Sequence, residues 1–112
     1  MPSAFPSGAV IIPAHNEAAV IERTLQSLSE VIGWGTVDVV VACNGCTDGT
    51  DAIVSRWEGV SVLQVPEASK AAALNAGDQC TCLWPRLYLD ADIEVNTKAL
   101  RAVFTALEDG AL

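Results

Sequence analysis

The sequence predicts an α/β fold in which a parallel sheet is flanked by helices in the order βαβαβαβα. Apolar runs of strand length alternate with longer stretches in which apolar residues recur at helical spacing, a pattern typical of parallel βα units. A length of 112 residues and a hydrophobic content of 51% suffice for one domain, residues 1–112, with a buried core. The net charge of -8 argues against a nucleic-acid partner, because phosphate binding relies on clustered Lys and Arg.

The first half of the chain predicts two strands and two helices. Residues 9–13 form an apolar strand, and apolar residues recur at helical spacing over residues 21–32, with Asn16 as the predicted N-cap. Residues 37–42 are nearly all β-branched, as expected for a strand buried on both faces. After a turn-rich segment, residues 53–57 supply the apolar face of a short helix.

The second half repeats this alternation. Strands are predicted at residues 60–65 and 86–89, and helices at residues 70–76 and 100–107, the last capped by Asn96 or Thr97. The first sixteen residues contain three prolines, and no basic residue precedes their short apolar segment, so they resemble neither a signal peptide nor a membrane span. Because nothing points to an oxidising compartment, we expect a cytoplasmic location.

Polar residues follow every predicted strand, at residues 15–17, 44–48, 67–70 and 90–92. In an open Rossmann-like sheet, ligands bind beyond the carboxyl ends of the strands, so these segments are the predicted site. Asp90 and Asp92 stand one residue apart there, and a divalent cation such as Mg²⁺ prefers one or two carboxylates together with phosphate oxygens. The alternative is that both aspartates are ordinary turn residues before a helix.

Four segments, residues 10–17, 44–50, 70–77 and 89–92, together resemble the motifs of a known family in order and spacing. That family is the family 2 glycosyltransferases with the GT-A fold, which move a sugar from a nucleotide-diphosphate donor to an acceptor. The last segment, Leu-Asp-Ala-Asp, is similar to the family's Asp-x-Asp motif. The resemblance implies a metal-dependent, inverting transferase, and it covers most of the chain.

The resemblance also implies roles for individual residues. Pro13, Ala14 and Glu17 would line the nucleoside pocket, and Asn44 and Asp48 would lie near the base and ribose. Where the family often has two acids after the second strand, this chain has Cys43 and Asn44. Because an amide both donates and accepts hydrogen bonds, base recognition is expected to differ from that of the family, or to relax.

At the diphosphate end, the resemblance implies that Lys70 faces the nucleotide and that Asp90 and Asp92 hold the diphosphate and its Mg²⁺ or Mn²⁺. The ammonium would offset phosphate charge, and the metal would stabilise charge developing on the leaving group. His15 is predicted to be a turn residue near the nucleotide, and Glu17 has the alternative of an acid favoured at a helix N-terminus.

The four cysteines allow a zinc-site hypothesis, since four thiolates can form a tetrahedral site. Cys43 and Cys46 follow a strand, whereas Cys80 and Cys82 follow the helix that returns to the opposite edge of the sheet, ~20 Å away for a strand of about six residues. We therefore predict free thiols.

The leading hypothesis is a glycosyltransferase acting on a nucleotide-diphospho-sugar donor and an unidentified acceptor. One alternative is a non-catalytic nucleotide-binding module, because the family's general base lies downstream and only Glu94, Glu108 and Asp109 follow the aspartate pair. A less favoured alternative is a phosphatase of the haloacid dehalogenase type, with residues 90–95 as its nucleophile loop.

The resemblance implies that this chain is the N-terminal, donor-binding part of a larger enzyme, incomplete at its C-terminus. An uncovered sheet predicts exposed apolar surface and self-association into a homo-oligomer. The full-length enzyme is also expected to allow peripheral membrane association.

Overall fold

The computed structural model describes residues 5–108, which form one parallel sheet flanked by helices. The strands are β1 (Gly8–Ala14), β2 (Val37–Asn44), β3 (Val60–Val65) and β4 (Arg86–Tyr88). The helices are α1 (Ile21–Ser27), α2 (Ser29–Trp34), α3 (Thr50–Ser55), α4 (Lys70–Cys80) and α5 (Thr97–Glu108). The predicted fold class is confirmed, with one extra break in the first predicted helix.

The sheet has the order β3-β2-β1-β4, and all three pairings between neighbouring strands are parallel. β1 lies inside the sheet and every one of its residues is buried. Because all strands run in one direction, their carboxyl ends meet at a single edge. The polar segments that follow β1, β2 and β4 are therefore brought together, as the sequence predicted.

The start and the continuity of the first helix were predicted wrongly. Asn16 does not cap α1: it has a φ of 52°, and its Oδ1 accepts a hydrogen bond from Thr47 N at 2.7 Å. α1 begins only at Ile21, after Val20, which makes no side-chain capping bond. The helix is then interrupted at Leu28, whose ψ of 1° separates α1 from α2. Asn16 thus links the loop after β1 to the loop after β2 and does not cap a helix.

The cap of the last helix is confirmed as Asn96. Its Oδ1 accepts a hydrogen bond from Ala99 N at 3.0 Å, one turn into α5. Leu100 and Phe104 of this helix are buried in the main core. The core contacts thereby fix the position of α5, which follows the loop that carries Asp90 and Asp92.

Two apolar clusters cover the two faces of the sheet. The larger one packs α1, α2, α3 and α5 against alternate residues of β1 and β2, including Val10, Ile12, Val39 and Val41. On the other face, α4 packs through Ala73 against Ala42 and Val65. Every helix within residues 5–108 is too short or too polar to span a lipid bilayer.

β4 is an edge strand of this sheet within residues 5–108, and large apolar side chains beside it are exposed. Trp84 is 67% exposed and Tyr88 is 49% exposed. This finding agrees with the predicted exposed apolar surface, while self-association stays a prediction.

Candidate functional site

A cleft of about 330 Å³ lies at the carboxyl ends of β1 and β4. Its lining consists of Pro13, His15, Glu17, Lys70, Asp90, Ala91 and Asp92. Five of the eight predicted site residues therefore meet at one place, although they come from three separate segments of the chain. The other three, Ala14, Asn44 and Asp48, do not line this cleft.

The aspartate pair lies where the chain leaves the sheet. Leu89 N donates to Ile11 O at 3.0 Å, which extends the pairing with β1 one residue beyond β4. Ile93 N then donates to Asp90 O at 3.1 Å and closes a turn. Ala91 is buried in this turn, while Asp90 and Asp92 on either side of it are exposed. The turn alternative is thus correct for the backbone, and the same turn presents both carboxylates to the cleft.

Lys70 is the first residue of α4, directly after Ser69, whose Oγ caps the helix by accepting from Ala72 N at 3.2 Å. Lys70 Nζ lies 2.9 Å from Asp90 Oδ1, and the two side chains are 64% and 60% exposed. An exposed ion pair of this kind contributes little free energy, so its partners exchange readily for other charged groups. An ammonium group and a carboxylate therefore lie side by side in the cleft, both accessible to solvent.

The donor set at this cleft fits a divalent cation of the Mg²⁺ or Mn²⁺ type, because carboxylate oxygens are the hard ligands such ions prefer. Within residues 5–108, no group of three or more His, Cys, Asp or Glu side chains is arranged to enclose a metal. Two carboxylates leave most of the coordination positions open. The pair therefore suits a cation that a phosphate ligand shares, and not a cation held by the protein alone.

His15, which the sequence predicted to be a turn residue near the nucleotide, lines this cleft. Its Nδ1 donates to Asn44 O at 2.5 Å, so in the neutral ring Nε2 carries no proton. The bond ties the loop after β1 to the end of β2. The one signal for this residue was its position directly after the first strand.

Asp48 connects the same two loops by another route. Its Oδ2 accepts from Ala18 N at 3.1 Å, and its Oδ1 accepts from the hydroxyl and the amide of Thr50. The Thr50 hydroxyl first, and then the amides, hold the pKa of Asp48 below its ordinary value. Its carboxylate is engaged within the loops, and the predicted contact with the nucleotide stays a prediction.

Asn44, the last residue of β2, is only 5% exposed. Its Oδ1 is buried and has no hydrogen-bond partner among the described residues. A buried polar atom without a partner costs free energy, and such atoms are rare in native proteins. By the alternation of β2, this side chain lies on the α4 face of the sheet, the face of the helix that Lys70 begins.

A second cleft of about 470 Å³ adjoins the end of β2 and is lined by Gly45, Cys46, Thr47, Gln64, Val65 and Pro66. Ala14, predicted to line the nucleoside pocket, is buried at the end of β1, and its carbonyl accepts from Cys46 Sγ at 3.3 Å. The loop after β2 thus separates two openings along the same edge of the sheet.

The cysteines are all free thiols, in agreement with the prediction. Cys43 is buried beside Cys46, whereas Cys80 and Cys82 are exposed near the end of α4. Burial first, and then the neighbouring Cys46, raise the pKa of Cys43 to about 12.

We expect Cys80 and Cys82 to be alkylated quickly at pH 8 and Cys43 to stay unmodified, because the thiolate is the reactive form. In the unfolded chain the pKa of Cys43 is close to its ordinary value of about 9. Above pH 9 the unfolded state therefore loses this proton while the folded state keeps it, and the free energy of unfolding falls. Peptide mass spectrometry after timed alkylation, and unfolding at pH 8 and pH 10 with Cys43→Ala alongside, measure both effects. Equal labelling of all four thiols, or an unchanged pH dependence in the variant, would contradict this expectation.

Comparison with known proteins agrees with the sheet and the cleft. The Glycosyl transferase family 2 model matches residues 9–112. A mannosyltransferase, PcManGT from Pyrobaculum calidifontis, solved with GDP-Man and Mn²⁺, is 28% identical with a TM-score of 0.75; the match covers 94% of this chain and 33% of that one. No curated protein sequence matches the chain significantly.

Glucosyl-3-phosphoglycerate synthase from Mycobacterium tuberculosis, solved with Mn²⁺, UDP and glucosyl-3-phosphoglycerate, is 26% identical with a TM-score of 0.76. The same enzyme solved with Mn²⁺, UDP and phosphoglyceric acid gives equal values. The match covers 94% of this chain and 40% of the synthase. The chain therefore spans between a third and two fifths of the length of these enzymes, whose GT-A fold its sheet shares. On the match of residues 9–112, the chain belongs to glycosyl transferase family 2.

Proposed function

We propose that this chain is the donor-binding part of a glycosyltransferase that takes a sugar from a nucleotide-diphosphate donor. The observation that carries the proposal is the cleft in which Asp90, Asp92 and Lys70 stand opposite Pro13 and Glu17. Relatives solved with GDP-Man or UDP together with Mn²⁺ support it. Family membership favours sugar transfer over the phosphatase alternative.

At the diphosphate end, Asp90 and Asp92 would hold a Mg²⁺ or Mn²⁺ ion. When bound, the metal supplies positive charge that stabilises the departing nucleoside diphosphate. Lys70, 2.9 Å from Asp90 in this structure, exchanges that partner for a phosphate oxygen and keeps its ammonium at the same place. The cleft thus offsets the acidic character of the chain where an anionic donor must bind.

At the nucleoside end, Asn44 acts through its backbone: its carbonyl oxygen accepts from His15 Nδ1 and holds the loop after β1 beside the cleft. Contact of its side chain with the base stays a prediction, since Asn44 Oδ1 is buried. Glu17 lines the cleft, and a carboxylate can accept hydrogen bonds from both ribose hydroxyls. Pro13 lines the cleft, Ala14 is buried next to it, and Asp48 holds the loop between β1 and α1 by accepting from Ala18 N.

The group that activates the acceptor is not assigned to a residue of this chain. Glu94 is exposed in the loop before α5, Glu108 is the last residue of α5, and Asp109 lies outside the described residues. We propose inversion at the sugar carbon, as the resemblance implies, with the base supplied by a further part of the enzyme. A cytoplasmic location, peripheral membrane association and self-association stay predictions, and no acceptor is assigned.

Titration of the chain with GDP and UDP, each in Mn²⁺ and in EDTA, tests the proposal. We expect GDP or UDP to bind at least about tenfold more tightly in Mn²⁺, since a shared cation replaces weak solvent-exposed contacts. Affinity that is unchanged by EDTA would contradict the proposal, and phosphate release abolished by Asp90→Asn would favour the phosphatase.

A further inference from the structure

The loop that carries the aspartate pair is fixed from behind by two hydroxyl groups of α1. Thr24 is completely buried, and its Oγ1 donates to Ala91 O at 2.6 Å. Ala91 is the residue between Asp90 and Asp92, and it is itself 4% exposed. One buried hydroxyl therefore holds the backbone carbonyl at the centre of the pair.

Ser27, three residues further along α1, holds the other end of the loop. Its Oγ accepts from Val95 N at 3.0 Å and donates to Thr24 O at 2.6 Å. The two hydroxyls thus contact the loop on both sides of Asp92, at residues 91 and 95. Neither Thr24 nor Ser27 lines the cleft.

We propose that Thr24 and Ser27 are positioning residues that set the separation and direction of the Asp90 and Asp92 carboxylates for the cation. This inference rests on the proposed function, because it concerns the same site. β4 contributes only three residues to the edge of the sheet, so the sheet alone fixes little of the segment that follows. Rotation of the Ala91 carbonyl would turn the peptide plane between Ala91 and Asp92 and would thereby move the Asp92 carboxylate relative to that of Asp90.

The chemistry of the contact distinguishes positioning from filling space. Valine has nearly the volume of threonine but cannot donate, so it would leave the buried Ala91 carbonyl without a partner. The Ala91 carbonyl would then turn toward water and change the position of the Asp92 carboxylate relative to that of Asp90. Serine keeps the donor and loses only a methyl group, so it should preserve the geometry.

The test is Mn²⁺ titration, in the presence of GDP or UDP, of the wild type, Thr24→Val and Thr24→Ser. We expect Thr24→Val to weaken Mn²⁺ binding about ten- to a hundredfold, the usual effect of removing a group that orients a metal ligand. Thr24→Ser should recover wild-type affinity to within about threefold, and nucleotide affinity in EDTA should change by less than about twofold in both variants.

Thr81→Val is the matched control. Thr81 is 5% exposed and its hydroxyl donates to Asp38 Oδ2 at 2.7 Å, at the opposite edge of the sheet from the cleft. This variant also loses a buried hydroxyl, yet Mn²⁺ affinity should stay within about twofold of the wild type. If Thr81→Val weakens Mn²⁺ binding as much as Thr24→Val does, general destabilisation accounts for both and the inference is overturned.

Ser27→Ala is a smaller substitution that can be used if Thr24→Val does not fold. It also gives a readout that needs no metal, the hydrogen exchange of the Val95 amide. We expect the Val95 amide to exchange its proton faster in Ser27→Ala, together with weaker Mn²⁺ binding. If Thr24→Val or Ser27→Ala binds Mn²⁺ with wild-type affinity, the positioning role is overturned and the proposed function is not. Failure of the wild type to bind Mn²⁺ overturns the proposed function and this inference with it.

Discussion

Replacing Asp92 with asparagine is expected to remove the Mn²⁺-dependent part of nucleotide-diphosphate binding, a loss of about a hundredfold in affinity. The substitution keeps the shape of an exposed side chain but removes the negative charge that would hold the cation. A lost charge-assisted contact costs up to about 3 kcal/mol, which corresponds to about two decades in affinity. Calorimetric titration of GDP or UDP in Mn²⁺ and in EDTA measures the effect, and affinity in EDTA should be nearly unchanged.

Glu94→Gln is the control for this prediction. Glu94 is an exposed acid two residues further along the same loop and does not line the cleft. Its replacement changes the net charge by the same amount, so it corrects for long-range attraction of the cation. Equal losses in the two variants would mean that general charge, and not the Asp92 carboxylate, accounts for the metal dependence.

Replacing Gly77 with alanine is expected to destabilise the chain by about 2 kcal/mol, although alanine favours helices by about 1 kcal/mol over glycine. Gly77 is buried where α4 crosses β1, and a Cβ there would lie 2.4 Å from Ile11 Cγ2. Ile11 is fully buried in a strand paired on both sides, so it cannot yield without disturbing the sheet. Thermal unfolding should show a midpoint lowered by about 8 °C.

Gly33→Ala is the matched control, since Gly33 is also helical but a Cβ there has no neighbouring atom within 4 Å. It should raise stability by about 0.5–1 kcal/mol through helix propensity alone. Opposite signs for the two substitutions would support close packing of α4 as the reason for glycine at position 77. Stabilisation by both would refute it.

The fold and the meeting of distant polar segments could be predicted because both follow from short patterns. Alternating strand and helix periods indicate parallel units, and parallel strands bring their carboxyl ends to one edge. Glu17, Lys70, Asp90 and Asp92 were therefore expected together, and they do line one cleft. The resemblance added Pro13, which also lines it, and Ala14, Asn44 and Asp48, which do not.

Features that depend on contacts between distant segments could not be predicted. Asn16 has the composition of a helix cap, but a bond to Thr47, which lies 31 residues away, takes its side chain to another loop. The hydrogen bond from the Thr24 hydroxyl to the Ala91 carbonyl joins residues 67 positions apart, and no local pattern distinguishes this threonine from any other helical one. Likewise, whether Asn44 Oδ1 has a hydrogen-bond partner among the described residues depends on which groups surround it in the fold.

The most direct test of the central claim, a divalent cation held between Asp90 and Asp92, is the broadening of amide resonances by Mn²⁺ in the nucleotide-bound chain. Paramagnetic broadening falls steeply with distance, so the amides of residues 90–92 and of His15 should lose intensity first. Amides at the opposite edge of the sheet, such as those of Asp38 and Thr81, should keep it, and Asp92→Asn should abolish the selective loss. Broadening centred elsewhere, or unchanged in Asp92→Asn, would contradict the assignment of the metal site.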